Sequence, residues 1–219
     1  MCYNDYTDFW IDKGDFMLPL LLSVVVISLS GVMVPGPMFA VTLAKSYRSP
    51  WVGVQVSLGH AVIEVPLILL IYFGFARFFE NSLVQLLLSL LGGATIVWMG
   101  IAMFRARTGV VQSGRDLPYG ASMAGILTSA LNPYFLLWWA TIGSLLVMKF
   151  LDFGVAGLTL FIAVHWLCDL VWLSFVSLLV NRTQKLWGLK FQEWLFIISS
   201  LLLIGFGIWF VVSGIQAMV

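Results

Sequence analysis

Residues 17–44 read MLPLLLSVVVISLSGVMVPGPMFAVTLA, an apolar run long enough to cross a bilayer but interrupted by Val34-Pro35-Gly36-Pro37. A proline removes one backbone donor, and its ring clashes with the carbonyl four residues earlier. Two prolines around a glycine therefore leave several peptide groups without helical partners. In hydrocarbon each such group costs on the order of several kcal/mol unless protein or cavity water satisfies it. A membrane helix broken where it lines a cavity meets both demands.

The rest of the chain agrees. With 61% hydrophobic and 10% charged residues, a soluble domain of 219 residues would lack polar surface, so an integral membrane protein is expected. The apolar runs lack the strict alternation of a membrane barrel, and 17 Phe with 10 Trp suit a helical bundle with aromatic belts. A net charge of +1 gives no basis for a nucleic-acid partner. Cys2 and Cys168 fall in a tail and in a membrane segment, so no disulfide, CxxC redox pair or thiolate metal cluster is expected. Residues 1–16 are polar, with Asp5, Asp8, Asp12 and Asp15 against Lys13. An acidic start differs from the basic start of a secretory signal, and the stretch reads as an exposed polar tail, with Met17 a second candidate start.

Apolar stretches define six segments: about Met17 to Ala44, Val52 to Phe75, Leu83 to Phe104, Tyr119 to Val147, Phe153 to Val180 and Trp194 to Met218. The links are too short for a separate soluble domain, so residues 17–219 are expected to form a single transmembrane domain. Links one, three and five carry Lys45, Arg48, Arg105, Arg107, Arg115, Arg182, Lys185 and Lys190, against Lys13, Arg77 and Lys149 elsewhere. Positive charge is retained in the cytoplasm, which predicts a multi-pass plasma-membrane protein with both termini outside. Lys45 is expected to snorkel to the interface.

Segments one to three (about 17–104) and four to six (about 119–218) follow one plan. Segments one and four are the long ones, each interrupted, by Pro35-Gly36-Pro37 and by Asn132-Pro133. Segments two and five each carry a His and an acid four residues apart: His60 with Glu64, and His165 with Asp169. Three segments per copy is an odd number, so the copies enter the membrane in opposite directions. The fold class predicted is an all-α membrane protein of six transmembrane helices, arranged as two inverted three-helix repeats with broken helices 1 and 4.

A spacing of four puts His and acid on one helix face, within about 40°. An ionisable side chain at a membrane helix centre costs roughly 2.5–3.5 kcal/mol, so two such pairs in equivalent places call for a function. One reading assigns His60, Glu64, His165 and Asp169 to proton coupling. Another uses the same four residues as ligands for a divalent cation, since two imidazoles and two carboxylates suit zinc, manganese or iron. A zinc hydrolase is disfavoured, because a buried His-x-x-x-Glu lacks the second histidine of HExxH. No other cofactor is called for. Pro35, Gly36, Pro37, Asn132 and Pro133 are the candidate substrate-binding residues. Half-helix amino ends suit a carboxylate and half-helix carboxyl ends an ammonium. Pro66 is expected to add a further break just past Glu64. Trp138-Trp139 either wall the pocket or face the membrane. Gly92, Gly93, Gly100, Gly205 and Gly207 are expected at close helix contacts.

On these residues the chain resembles the LysE/RhtB family of amino-acid exporters, within the LysE-type translocator superfamily. The likeness runs from about Met17 and rests on Pro35-Gly36-Pro37 with Met38-Phe39, Gly53 and Gly59, the Gly92 to Gly100 stretch before Arg105, and Gly125 with Asn132-Pro133. It implies a secondary transporter, not an enzyme, that exports amino acids or related small metabolites on proton motive force. Its implied partners are the small-molecule substrate, protons and the lipid bilayer, with a homo-oligomer left open. Tyr134 stands where members usually carry a lysine, and many relatives have an acid or nothing at His60 and Glu64. A divalent metal-cation exporter is the alternative; a non-transport role, as intramembrane enzyme or scaffold, is the second rival.

Overall fold

The computed structural model describes residues 5–33, 36–74, 82–113 and 118–216, and among them every regular element is helical. The first helix, α1 (Asp5–Val32), begins well before Met17, so the acidic stretch continues the helix. It ends ahead of the Pro-Gly-Pro break, of which Val34 and Pro35 lie outside the described residues. The chain resumes as α2 (Pro37–Ser46), with Pro37 in the first turn, where a missing N–H is harmless. The apolar part of α1 and α2 are bent by 71° at this break. There follow α3 (Val52–Tyr72) and α4 (Ser82–Ser113). The second interruption separates α5 (Ala121–Ala130) from α6 (Pro133–Trp138), which passes through a π turn (Trp139–Gly143) into α7 (Ser144–Phe150). The last long helices are α8 (Gly154–Thr183) and α9 (Leu189–Gln216).

Gly154 enters α8 with φ +61°, a backbone angle that a side chain resists, so the chain can turn there between α7 and α8. Pro66 does not break α3, contrary to expectation; the helix runs through it, because one missing donor can be absorbed by a helix packed on several sides. By length and apolarity, α3, the run Tyr134–Leu186 and α9 are candidate membrane spans, and α1 with α2 makes a fourth if taken as one bent span. The third and fourth predicted segments appear as shorter apolar helical stretches, Ser89–Arg105 and Ala121–Ala130. The fourth falls short because the Asn132-Pro133 break divides it.

Packing is set by small residues. Along the antiparallel α4–α9 contact, a Cβ on Gly93 would lie 2.6 Å from the Gly207 carbonyl oxygen and 2.6 Å from a Val211 methyl. A Cβ on Gly207 would in turn lie 2.6 Å from the Gly93 carbonyl oxygen and 2.6 Å from a Val97 methyl. The contact is thus reciprocal. Gly100 meets Ser200 and Leu203 further along, and Gly92 abuts the Leu131 carbonyl at the second break. Gly205 is the exception among the predicted contact glycines: nothing lies within 4 Å of a Cβ built there, because it is on the outer face of α9. The same device brings α3 against α5, through Gly59 on Ser122 and Gly125 on the Val56 carbonyl, and α3 against α8, through Gly53 on the Leu173 carbonyl.

Two apolar clusters lie toward opposite ends of α8. One joins Ala40, Val41, Met99, Val176, Val180 and Phe196, the other Val24, Ile68, Trp139, Phe150, Leu158 and Phe161. Near the first, Asn181 Nδ2 donates to the Ser46 carbonyl at 2.9 Å and Gln184 Nε2 to the Tyr47 carbonyl at 3.0 Å, so links one and five share one end of the bundle. Lys45 does not snorkel. It is 3% exposed, and its ammonium lies 5.2 Å from the centre of the Tyr119 ring, a cation–π contact that substitutes for part of its hydration.

Candidate functional site

Between those clusters, the equal four-residue spacings on α3 and α8 meet. Because the helices run antiparallel, Glu64 faces His165 and His60 faces Asp169, and all four side chains converge. His60 Nε2 donates to Glu64 Oε1 at 2.8 Å, and His165 Nε2 donates to the same oxygen at 3.1 Å. Asp169 Oδ2 stands off at 3.8 Å from His60 Nε2 and 4.0 Å from His165 Nε2. The sequence predicts two pairs, one per helix. The first forms as expected, but His165 turns across to Glu64, giving a single cluster in which one carboxylate oxygen serves both imidazoles. Burial is near complete: Glu64 is 1% exposed, His60 3%, His165 5% and Asp169 6%. Glu64 Oε2 and Asp169 Oδ2 have no hydrogen-bond partner among the described residues.

The other nitrogen of each ring is held by a serine from a third and a fourth helix. His165 Nδ1 lies 2.6 Å from Ser28 Oγ on α1, and His60 Nδ1 lies 2.6 Å from Ser129 Oγ on α5. The Ser129 hydroxyl also donates to the Gly125 carbonyl at 2.7 Å. A hydroxyl has one proton, so with that bond made the proton shared with His60 belongs to Nδ1, an assignment that follows from the network. Ser28 and Ser129 escape a reading of the sequence. Serines are scattered through these segments, and only the crossings single out the two that reach a ring.

A cavity of about 310 Å³ connects the cluster to both helix breaks, with Gly36, Pro37, Met38, Asn132 and Tyr134 in its wall beside all four cluster residues. Of the predicted substrate-binding residues, Gly36, Pro37 and Asn132 line it. Pro133 opens α6, and Pro35 lies outside the described residues. Asn132 Oδ1 accepts from the Tyr134 and Phe135 backbone N–H groups at 3.0 and 3.3 Å, so its carbonyl caps α6. Asn132→Ala is accordingly expected to lower stability by about 1 kcal/mol, and Asn132→Asp to keep most of it, in a thermal-unfolding comparison. The remaining wall is mostly aromatic, including Phe39, Phe135, Phe206 and Phe210, and no Lys or Arg lines it among the described residues. Trp138 and Trp139 both turn inward, against membrane-facing packing: Trp138 stacks on His165 with centroids 5.9 Å apart, and Trp139 meets it edge-on at 5.0 Å. Trp139 Nε1–H is buried without a partner among the described residues.

Among the described residues the bundle is all-helical and apolar, and its helices break around a cavity that reaches four buried titratable side chains, an architecture that suits a membrane transport protein. The chain belongs to the LysE type translocator family, which it matches over residues 29–214. Members of that family are transporters and not enzymes. No curated protein and no solved structure matches the chain.

Proposed function

We propose that the protein is a proton-coupled secondary transporter that exports amino acids or related small metabolites by alternating access. Its chain crosses the plasma membrane six times as two inverted three-helix repeats, with both termini outside. The observation that carries this reading is the cavity, where two helix breaks meet buried, unpartnered groups of both polarities. Glu64 Oε2 and Asp169 Oδ2 suit an ammonium, whereas the indole N–H of Trp139 and the amino end of α2 beside Gly36 suit a carboxylate. The inverted arrangement draws support from two relations. The α4–α9 contact is reciprocal at Gly93 and Gly207. Ser28 holds His165 as Ser129 holds His60, each at 2.6 Å, so the first and fourth segments play matching parts toward the fifth and second.

Protons load on the His60, Glu64, His165 and Asp169 cluster, where a bound ammonium competes with them for the same carboxylates. The site then lies near mid-membrane, with the basic links one, three and five in the cytoplasm. The test is efflux of labelled amino acids from preloaded proteoliposomes. Efflux is expected to accelerate when the outside is acidified and to lose that acceleration with a protonophore. If no amino acid in a broad panel leaves faster than from protein-free vesicles, the reading fails.

A further inference from the structure

We infer that His60, Glu64, His165 and Asp169 form a binding site for one divalent transition-metal ion of the zinc type, which takes the place of protons the four side chains share. The inference is independent of the export reading: a chain that binds the ion and moves no amino acid satisfies this inference alone, and the reverse holds equally.

Geometry is the first support. A tetrahedral zinc about 2.0–2.1 Å from each donor requires donors about 3.3 Å apart. Four donor separations in the cluster are 2.8, 3.1, 3.8 and 4.0 Å, two below that value and two above it. The donor atoms of His60, Glu64 and Asp169 lie within 4.8 Å of one another. His60, Glu64 and Asp169 form the compact three-donor core, and His165 Nε2, 3.1 Å from the shared Glu64 oxygen, is the fourth donor.

The second support is what the carboxylates lack. Glu64 Oε2 and Asp169 Oδ2 are buried acceptors without a hydrogen-bond donor among the described residues. Leaving such groups unsatisfied is costly. One divalent cation ligated by Glu64 Oε1 and Asp169 Oδ2 compensates both carboxylate charges and satisfies the Asp169 oxygen directly.

The third support is the serine pair. Metal-binding imidazoles are usually held at the far nitrogen by a hydrogen-bonding partner, which fixes the tautomer and aims the ligating nitrogen. Ser129 accepts at His60 Nδ1 while donating to the Gly125 carbonyl, the arrangement that leaves Nε2 free to ligate once its proton departs. At His165 ligation through Nε2 puts the proton on Nδ1, where the Ser28 hydroxyl oxygen accepts it. Two imidazoles with two carboxylates favour zinc, cobalt, iron or manganese over the softer ions that select sulfur.

The experiment titrates Co²⁺ and then Zn²⁺ into tag-free, chelator-treated full-length protein in detergent. The expected result is one Co²⁺ per chain with the visible bands of a low-symmetry four-coordinate ion, displacement by Zn²⁺, and a melting temperature that climbs with Zn²⁺ concentration. Asp169→Asn and Ser129→Ala, used where they elute as the unaltered protein does, are expected to weaken binding, Ser129→Ala by about 10- to 100-fold although its side chain touches no ion. Absence of saturable binding to the folded, unaltered protein overturns the inference with no need of a variant. So does an affinity left unchanged by both Glu64→Gln and Asp169→Asn.

Discussion

Glu64→Gln is expected to reduce proton-driven efflux by about 100-fold, toward the leak of protein-free vesicles. Glu64 Oε1 accepts from both His60 and His165, and each charge-assisted bond is worth about 1.5–3 kcal/mol, where 1.4 kcal/mol corresponds to a factor of ten. Glutamine keeps the shape and one acceptor, so the helices can still meet. It has no charge to hold the imidazoles and no site for a proton. The comparison that isolates the carboxylate is with Ser28→Ala, which loses one bond to His165 at the rim of the cluster and is expected to slow efflux far less. The measurement is initial efflux rate under an imposed pH gradient at matched protein density. Retention of the unaltered rate in Glu64→Gln would remove the carboxylate from the proton path.

The second large effect is structural. Gly125→Val is expected to destabilise the folded protein by about 1–3 kcal/mol or more and to uncouple His60 from Ser129, because its Cβ falls against the Val56 carbonyl and 3.0 Å from the His60 backbone nitrogen. Neither atom is the end of a flexible side chain, so α3 and α5 must separate, and Ser129 one turn along is carried away from His60 Nδ1. Gly205→Ala provides the contrast. With nothing within 4 Å of its Cβ, it is expected to leave the melting temperature unchanged or slightly higher. Equal melting temperatures for Gly125→Val and the unaltered protein would contradict the close approach.

Both effects turn on positions that differ in how they could be known. Glu64 is conspicuous in the chain, since an acid inside an apolar run is expensive and a histidine four residues before it suggests why it is tolerated. Asp169 and His165 stand out for the same reason. Gly125 and Gly205 are alike in sequence, each a glycine in an apolar helix, and only the partner surface tells the one that must stay bare from the one facing outward. Pro66 makes the same point in reverse. Its chemistry predicts an interruption, but a helix supported on several sides runs through it.

Trp138-Trp139, open to two readings, and Lys45, expected to snorkel, depend on the fold for a related reason. An indole serves equally well at a lipid interface or against a buried imidazole, and a lysine can reach water or lie over a ring. The side on which each helix meets its neighbours decides, and that side depends on crossings far along the chain.

The sequence by itself determined that the protein is helical and apolar, that two of its segments break, and that two helices each carry a histidine and an acid on one face, because composition, proline and a spacing of four are local properties. The tertiary structure decided that the two pairs become one cluster centred on Glu64, that Ser28 and Ser129 hold its outer nitrogens, and that both breaks open into the same cavity. Those relations join residues about a hundred positions apart, and they follow from the antiparallel crossing of α3 with α8 and the bare glycine contacts that let α3 lie against α5.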